Sequence, residues 1–245
     1  MNIVLFESSE IIENHVVFQD ERAKHIVKVL RAAPGDSIRI GVVDGLSGYG
    51  IITRLERRPP YRVEMGISLD EIPPPPSCVD IVLALPRPIM FKRVLSQATS
   101  LGVKNFHIVN ASRVEKSYWD ASVISESIYH NHLLRGLEQA VDTRLPNVFF
   151  HRSFKTFIEC SIPELKTGYG CLVAADPRFP CLALPKGTEK TGRVLLAVGP
   201  EGGWLDYEIE KMLNSGFMGV GIGTRILRVD TAVIALHSVL ANMYC

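Results

Sequence analysis

Residues 193–231, RVLLAVGPEGGWLDYEIEKMLNSGFMGVGIGTRILRVDT, restrict the fold more than any other stretch. Residues 194–198 form an apolar run of the length of a fully buried strand. Gly199-Pro200-Glu201-Gly202-Gly203 breaks it, with three glycines in five residues, where the backbone can take positive φ and approach a ligand closely. Leu205, Ile209, Met212 and Leu213 then place an apolar stripe at helical spacing, and Gly216 stops the helix. Residues 217–222 read as a second buried strand. Gly223 opens a second loop, which carries Arg225 and Arg228 into a last helix. Two loops at the ends of neighbouring strands face one crevice, the usual ligand position in an open α/β sheet. Ordinary βα turns would read the same from the glycines alone. Neither loop is a phosphate fingerprint: GPEGG is not GxGxxG, and GxxxxGKS/T does not occur. A nucleotide phosphate is therefore not the expected occupant.

Strands and helices alternate through the whole stretch 78–245, the signature of an α/β domain with a largely parallel sheet. Apolar runs at 79–85, 106–109, 148–150 and 171–174 supply further strands. Phe91, Val94, Leu95, Ala98 and Leu101 mark one helix, a second covers about 122–140, and a last one covers 231–243. Residues 1–70 differ. Short strands at 2–6, 16–18, 37–43, 50–55 and 62–68, broken by Pro34-Gly35-Asp36 and Asp44-Gly45, predict a small β-barrel. Between the two lies Glu71-Ile72-Pro73-Pro74-Pro75-Pro76-Ser77, a semi-rigid polyproline spacer over residues 71–77.

With a net charge of +1 the chain does not announce itself as a nucleic-acid binder, but the charge is uneven. From Arg22 to Arg62 there are nine basic residues against three carboxylates, Asp36, Asp44 and Glu56, a balance that suits phosphate contacts as well as a solvated surface. Asp20 caps a helix there, whose spacing puts Lys24, Lys28 and Arg31 on one face with His25 beside them. Five cysteines without CxxC spacing predict reduced, buried thiols of a cytoplasmic protein. His130 and His132, two apart on a helix, do not face one ion, so no metal is expected. No apolar run approaches the length of a membrane span, and MNIVLFESSEII lacks the basic start of a secretory signal.

GPEGG at 199–203, its spacing to Gly223, and Arg225-Ile226-Leu227-Arg228 before Asp230-Thr231-Ala232 closely resemble the RsmE family of ribosomal RNA uracil-N3 methyltransferases. His25-Ile26-Val27-Lys28-Val29-Leu30-Arg31, Pro34-Gly35-Asp36, Leu85-Pro86, Leu101-Gly102-Val103, Ser112-Arg113 and Glu138-Gln139 extend the resemblance over nearly the whole chain. It implies a C-terminal SPOUT-type trefoil-knotted α/β domain (78–245), an N-terminal PUA-like β-barrel that binds RNA (1–70), S-adenosylmethionine as cofactor, and a homodimer. The implied partner is 16S ribosomal RNA or the assembled small ribosomal subunit. Three segments are implied as the cofactor site. The first holds Ala174 and Ala175, the second is Gly199, Pro200, Glu201, Gly202 and Gly203 after Leu196, and the third holds Ile222, Gly223, Ile226, Leu227 and Arg228. RNA contacts are expected at Arg22, Lys24, His25, Lys28 and Arg31. Asp230 stands where family members usually have Glu, and Gln97 and Ser100 stand where they carry Lys and Glu.

Methyl transfer to uracil N3 needs donors for O2 and O4 as the N3 proton leaves. Arg228 is the expected donor, with Asp230 or Glu201 orienting it or accepting the proton. A structural Arg228–Asp230 pair and a loop-capping Glu201 are the competing roles. Two other activities fit the same features: a SPOUT ribose 2′-O-methyltransferase acting on tRNA or rRNA, and a non-catalytic RNA-binding assembly factor.

Overall fold

The computed structural model describes residues 2–181 and 192–245. The chain divides into two compact units, Met1–Pro75 with Leu137–Leu145, and Pro76–Gly136 with Pro146–Cys245.

In the first unit, β1 (Val4–Phe6), β2 (His15–Phe18), β3 (Ser37–Val42), β4 (Ser47–Glu56) and β5 (Arg62–Glu71) form one sheet in the order β1-β3-β4-β5-β2. Only the β1–β3 pairing is parallel. The sheet curls into a half-barrel. Alternation sets its inner face: Val16 and Phe18, Ile38 and Ile40, Ile52, and Val63 and Met65 point into one core, while Tyr49 and Ile51 face out. The ladder slips at Ser47/Gly48 and at Ile52/Arg54, irregularities that bend a strand pair. Gly48 is required at the first slip, where a Cβ would lie 2.1 Å from the Ser68 carbonyl oxygen. Residues 137–145 belong to this unit because Thr143 is fully buried and its Oγ1 donates to the Gly45 carbonyl at 2.5 Å. In turn the Asp44 N–H donates to the Thr143 carbonyl at 2.7 Å.

The helix expected to carry Lys24, Lys28 and Arg31 on one face is shorter than its periodicity implies. Asp20 does cap α1 (Glu21–His25), accepting from the Arg22 N–H at 2.9 Å. A π turn over Ile26–Leu30 follows, and Arg31 is left-handed at φ 55°. A π turn holds more residues than an α turn, so the i, i+4, i+7 register is lost and Arg31 leaves the helix altogether.

The second unit is a six-stranded sheet of β6 (Val79–Ala84), β7 (Asn105–Val109), β8 (Asn147–His151), β9 (Tyr169–Ala175), β10 (Arg193–Val198) and β11 (Met218–Val220). The order is β11-β9-β10-β6-β7-β8 and every pairing is parallel. All of β6 is buried, as a strand covered on both faces requires. The α-helices are α2 (Pro88–Ser100), α3 (Glu126–Ala140, whose residues from Leu137 on belong to the first unit), α4 (Phe154–Thr156), α5 (Ile162–Leu165), α6 (Asp206–Asn214) and α7 (Val229–Tyr244). At the amino ends of the strands the fully buried Asp80 carboxylate accepts from Asn105 N–H and Nδ2, Tyr169 Oη and Arg193. A buried charge persists only when its lone pairs are filled in this way.

The cysteines depart from the expected set of reduced thiols. Cys78, ahead of β6, and Cys245, after α7, form a disulfide across a sequence separation of 167, while Cys160, Cys171 and Cys181 are free. Pairing over that distance depends on where α7 ends against the sheet, which cysteine spacing does not encode. Among the described residues no helix is long and apolar enough to cross a membrane.

Candidate active site

The carboxyl ends of β6, β9, β10 and β11 open onto one cavity of about 730 Å³. Its wall is made by the segment after β9 from Ala175 to Arg178, the glycine loop after β10, and the loop after β11 that leads into α7. The β6–α2 connection adds Arg87, and the loop after β7 adds Arg113. This is the strand-end crevice that the parallel order predicts.

The wall includes Ala175, all five residues from Gly199 to Gly203, and Ile222, Gly223, Ile226, Leu227 and Arg228. Ala174 and Leu196 are fully buried within β9 and β10 and lie outside it. The glycine loop turns sharply, with Gly203 at φ 71° and its N–H donating to the Pro200 carbonyl at 2.8 Å. Trp204 closes the loop from behind. Its ring packs over Phe154 with centroids 5.7 Å apart, and its indole N–H is buried without a partner at the cavity wall. An orphaned buried donor is costly unless a ligand fills it.

Three carboxylates and five arginines line the cavity. Asp176 and Asp206 are both taken up by Arg178, which grips Asp176 through Nε at 2.8 Å and NH2 at 3.0 Å and donates to Asp206 through NH1. Burial would raise the Asp176 pKa, but the Arg178 hydrogen bonds outweigh it and hold the carboxyl below its usual value. Glu201 stands apart: its Oε1 accepts from the Arg87 backbone N–H at 3.0 Å, and it has no ion-pair partner among the described residues. Arg228 is two-thirds exposed. Its Nε lies 3.8 Å from Asp230 Oδ1, while Asp230 Oδ2 lies 3.6 Å from Arg93. Asp230 is buried in the first turn of α7, where the helix N-terminus favours an anion, and it is not part of the cavity wall.

Sequence reasoning did not single out the groups that hold the loops in place. Glu208, fully buried, accepts from the Ser112 N–H at 2.8 Å and the Leu205 N–H at 2.8 Å, joining the loop after β7 to the start of α6. A readable signal existed, since a Glu three residues into a helix reaches back to the cap N–H. Arg113 donates to the Gly202 carbonyl, a contact between residues 89 apart that no local pattern reveals.

In the first unit the proposed RNA residues meet different fates. Arg22 is engaged by Glu10 at 2.6 Å and Asp20 at 2.6 Å, and Lys24 pairs with Glu21 at 3.0 Å. His25 Nε2 is buried without a partner. Lys28 is exposed with its ammonium 5.7 Å from the Tyr61 ring, and Arg31 is exposed. Arg54 pairs with Glu56 inside the basic segment, while Arg39 and Arg62 pair with Glu71 and Glu64, so carboxylates from outside it, with those on Arg22 and Lys24, neutralise much of it. Lys28, Arg31, Arg57 and Arg58 stand outside these pairs.

Comparison with known proteins matches this architecture. Residues 73–241 match an RNA methyltransferase domain and residues 18–56 an RNA methyltransferase PUA domain. Ribosomal RNA small subunit methyltransferase E of Treponema pallidum is 31% identical over 247 residues, covering 100% of this chain and 92% of that protein. Ribosomal RNA small subunit methyltransferase E 1 of Borreliella burgdorferi is 23% identical, covering 99% and 98%. The chain therefore belongs to the ribosomal RNA small subunit methyltransferase E family. A crystal structure of the Neisseria gonorrhoeae member bound to S-adenosyl methionine shares the fold, with a TM-score of 0.77 at 19% identity over 100% of this chain and 98% of that one. A putative methyltransferase of Legionella pneumophila, solved with its bound cofactor SAM, gives a TM-score of 0.76 at 21% identity, covering 98% and 97%.

Proposed function

We propose that this chain methylates N3 of a uridine in small-subunit (16S) ribosomal RNA, using S-adenosylmethionine. The observation that carries the reading is the three-loop crevice at the carboxyl edge of the parallel sheet, in a chain of this family. Its volume suits a ligand of the cofactor's size. The bound cofactor supplies a methyl group already activated by its sulfonium.

The chain's residues supply the rest. Ala175, the glycine loop and residues 222–228 hold the cofactor, with Ala174 and Leu196 supporting the strand ends from inside the sheet. Arg228 donates to the uracil oxygens on which charge grows, and Asp230 orients it. Glu201, the wall carboxylate free of arginine, accepts the N3 proton. Lys28 and Arg31, with Lys24, Arg22 and His25 around them, form the RNA-binding edge of the PUA-like unit. We also propose the trefoil knot, a homodimer, and action in the cytoplasm on 16S RNA or the assembled small subunit.

Nucleoside mass spectrometry tests this directly. Purified protein and S-adenosylmethionine are incubated with small subunits from a strain lacking the gene. Formation of 3-methyluridine is expected. Ribose methylation would instead identify a 2′-O-methyltransferase, and cofactor binding that fails in calorimetry would identify a non-catalytic assembly factor.

A further inference from the structure

Arg113 is a wall cation for which the reaction described above has no use. It is exposed, yet its position is strongly determined. Its loop is fixed at both ends: Ala111 and Val114 are buried, the Val114 N–H donates to the Ala111 carbonyl at 3.0 Å, and the Ser112 N–H is held by the buried Glu208. Ser112 Oγ lies 2.5 Å from Tyr207 Oη, a second tie to α6. The Arg113 stem lies along Gly202, where a Cβ would meet Cδ at 3.0 Å, and one guanidinium nitrogen donates to the Gly202 carbonyl. That contact uses one of five N–H donors. No described carboxylate lies within ion-pair distance, and the guanidinium is close enough to Asp176 for its charge to help lower that carboxyl's pKa. A cation held by its stem and one hydrogen bond, with its remaining donors at the rim of a cavity, is preorganised for an oxyanion.

We propose that Arg113 is a substrate-binding residue that grips a backbone phosphate of the RNA beside the target uridine. This rests on the RNA methyltransferase reading. A base that enters the crevice must leave its stack, and its flanking phosphates stay at the rim. The planar guanidinium matches a phosphate in a way an ammonium does not. The carboxylate of the cofactor's amino-acid arm is the other anion that could reach the same donors.

The test compares wild type, Arg113→Ala and Arg113→Lys as full-length proteins, with small subunits from a deletion strain as the RNA probe. In Arg113→Ala, RNA affinity is expected to fall about tenfold, and the slope of log affinity against log salt to lessen by about 0.7, the loss of one single-strand phosphate contact. Arg113→Lys should restore the salt slope but only part of the affinity. Cofactor affinity by calorimetry should fall far less than RNA affinity, because Arg113→Ala removes only one of the ties on the Gly202 loop and Arg113→Lys can still donate to the Gly202 carbonyl. Unchanged RNA affinity and slope in Arg113→Ala would overturn the proposal, as would a loss of cofactor affinity with RNA binding retained. Wild type that neither binds nor methylates the subunits would overturn the parent reading, and this one with it.

Discussion

The backbone N–H of Arg87 donates to Glu201 Oε1 at 3.0 Å, tying the loop after β6 to the glycine loop after β10. A carboxylate held this way could serve as a loop cap alone or also take a proton, and one substitution separates the roles. In Glu201→Gln the side-chain carbonyl can still accept from Arg87, but the basic group is gone. We expect cofactor affinity to stay near wild type and kcat to drop by about a hundredfold or more, the usual range for a lost general base. Near wild-type kcat in steady-state methylation assays would reduce Glu201 to the cap.

Arg228 and Asp230 call for a paired measurement. At 3.8 Å, with Arg228 two-thirds exposed, the contact is too loose and too solvated to matter much as a stabilising ion pair. Arg228→Ala should therefore leave the melting temperature almost unchanged and lower kcat by about 10²–10³, the cost of one lost oxyanion donor. Asp230→Asn should lose less activity, because it acts through Arg228. A large fall in melting temperature for Arg228→Ala with retained turnover would make the pair structural.

The parts of this site that were legible in sequence are those written in local pattern. The buried run ahead of Gly199, the glycine break and the stripe from Leu205 to Leu213 fix a strand, a loop and a helix without reference to anything distant. Glu208, Arg113 and Arg87 act across separations of 96, 89 and 114 residues, so their roles exist only once β6, β7 and β10 lie side by side. The basic stretch in the first unit overstates its local charge for the converse reason. A count along the chain from Arg22 to Arg62 omits Glu10 and Glu71, which the fold brings to Arg22 and Arg39, and Glu64, which lies just past the window and pairs with Arg62. The π turn after His25 is likewise invisible to a count that assumes α-helical spacing.

Glu208→Ala should be the more damaging change although it touches no ligand. It leaves the Ser112 and Leu205 N–H groups unpartnered around a buried void, each orphan costing about 1–3 kcal/mol. The expected result is a clear fall in the urea midpoint and weaker cofactor binding. Glu208→Gln keeps one acceptor and should recover part of both. A midpoint equal to wild type in Glu208→Ala would mean that the two loops are held elsewhere.

Reversing the free cations of the first unit tests the RNA edge. Lys28→Glu with Arg31→Glu should weaken binding to small subunits and flatten its salt dependence, with cofactor affinity unchanged. Arg22→Glu should act differently. It breaks the contacts to Glu10 and Asp20 and places a third carboxylate among them, so its first effect should be a lower melting temperature. Filter binding across a salt series, run beside thermal melts, distinguishes the two outcomes.

His107 and His237 make stability depend on pH in a direction that can be fixed in advance. Burial first, and then the neighbouring His151, whose Nε2 lies 3.2 Å from His107 Nδ1, push the His107 imidazole down to about 4. Burial also lowers His237 to about 4, where Nε2 meets Ser77 Oγ at 3.0 Å and Nδ1 is buried without a partner. Both side chains are neutral in the folded and unfolded chain above the unfolded value near 6.5, so their stability contribution is fully present there. Between about 6.5 and 4 the unfolded chain takes up a proton that the folded chain refuses, and stability falls as the pH falls. The loss reaches up to about 3 kcal/mol for each histidine at the lower limit. Denaturant midpoints measured from pH 7.5 to 4.5 should show this decline, and His107→Gln should make it shallower. Asp176, held below its usual value, cannot imitate the effect, since its contribution is lost only as the pH falls below the ordinary carboxylate range. A wild-type midpoint flat across that window would mean that the buried imidazoles accept protons as readily as free ones, and that the stacked contact of His107 with Phe149 opens to water.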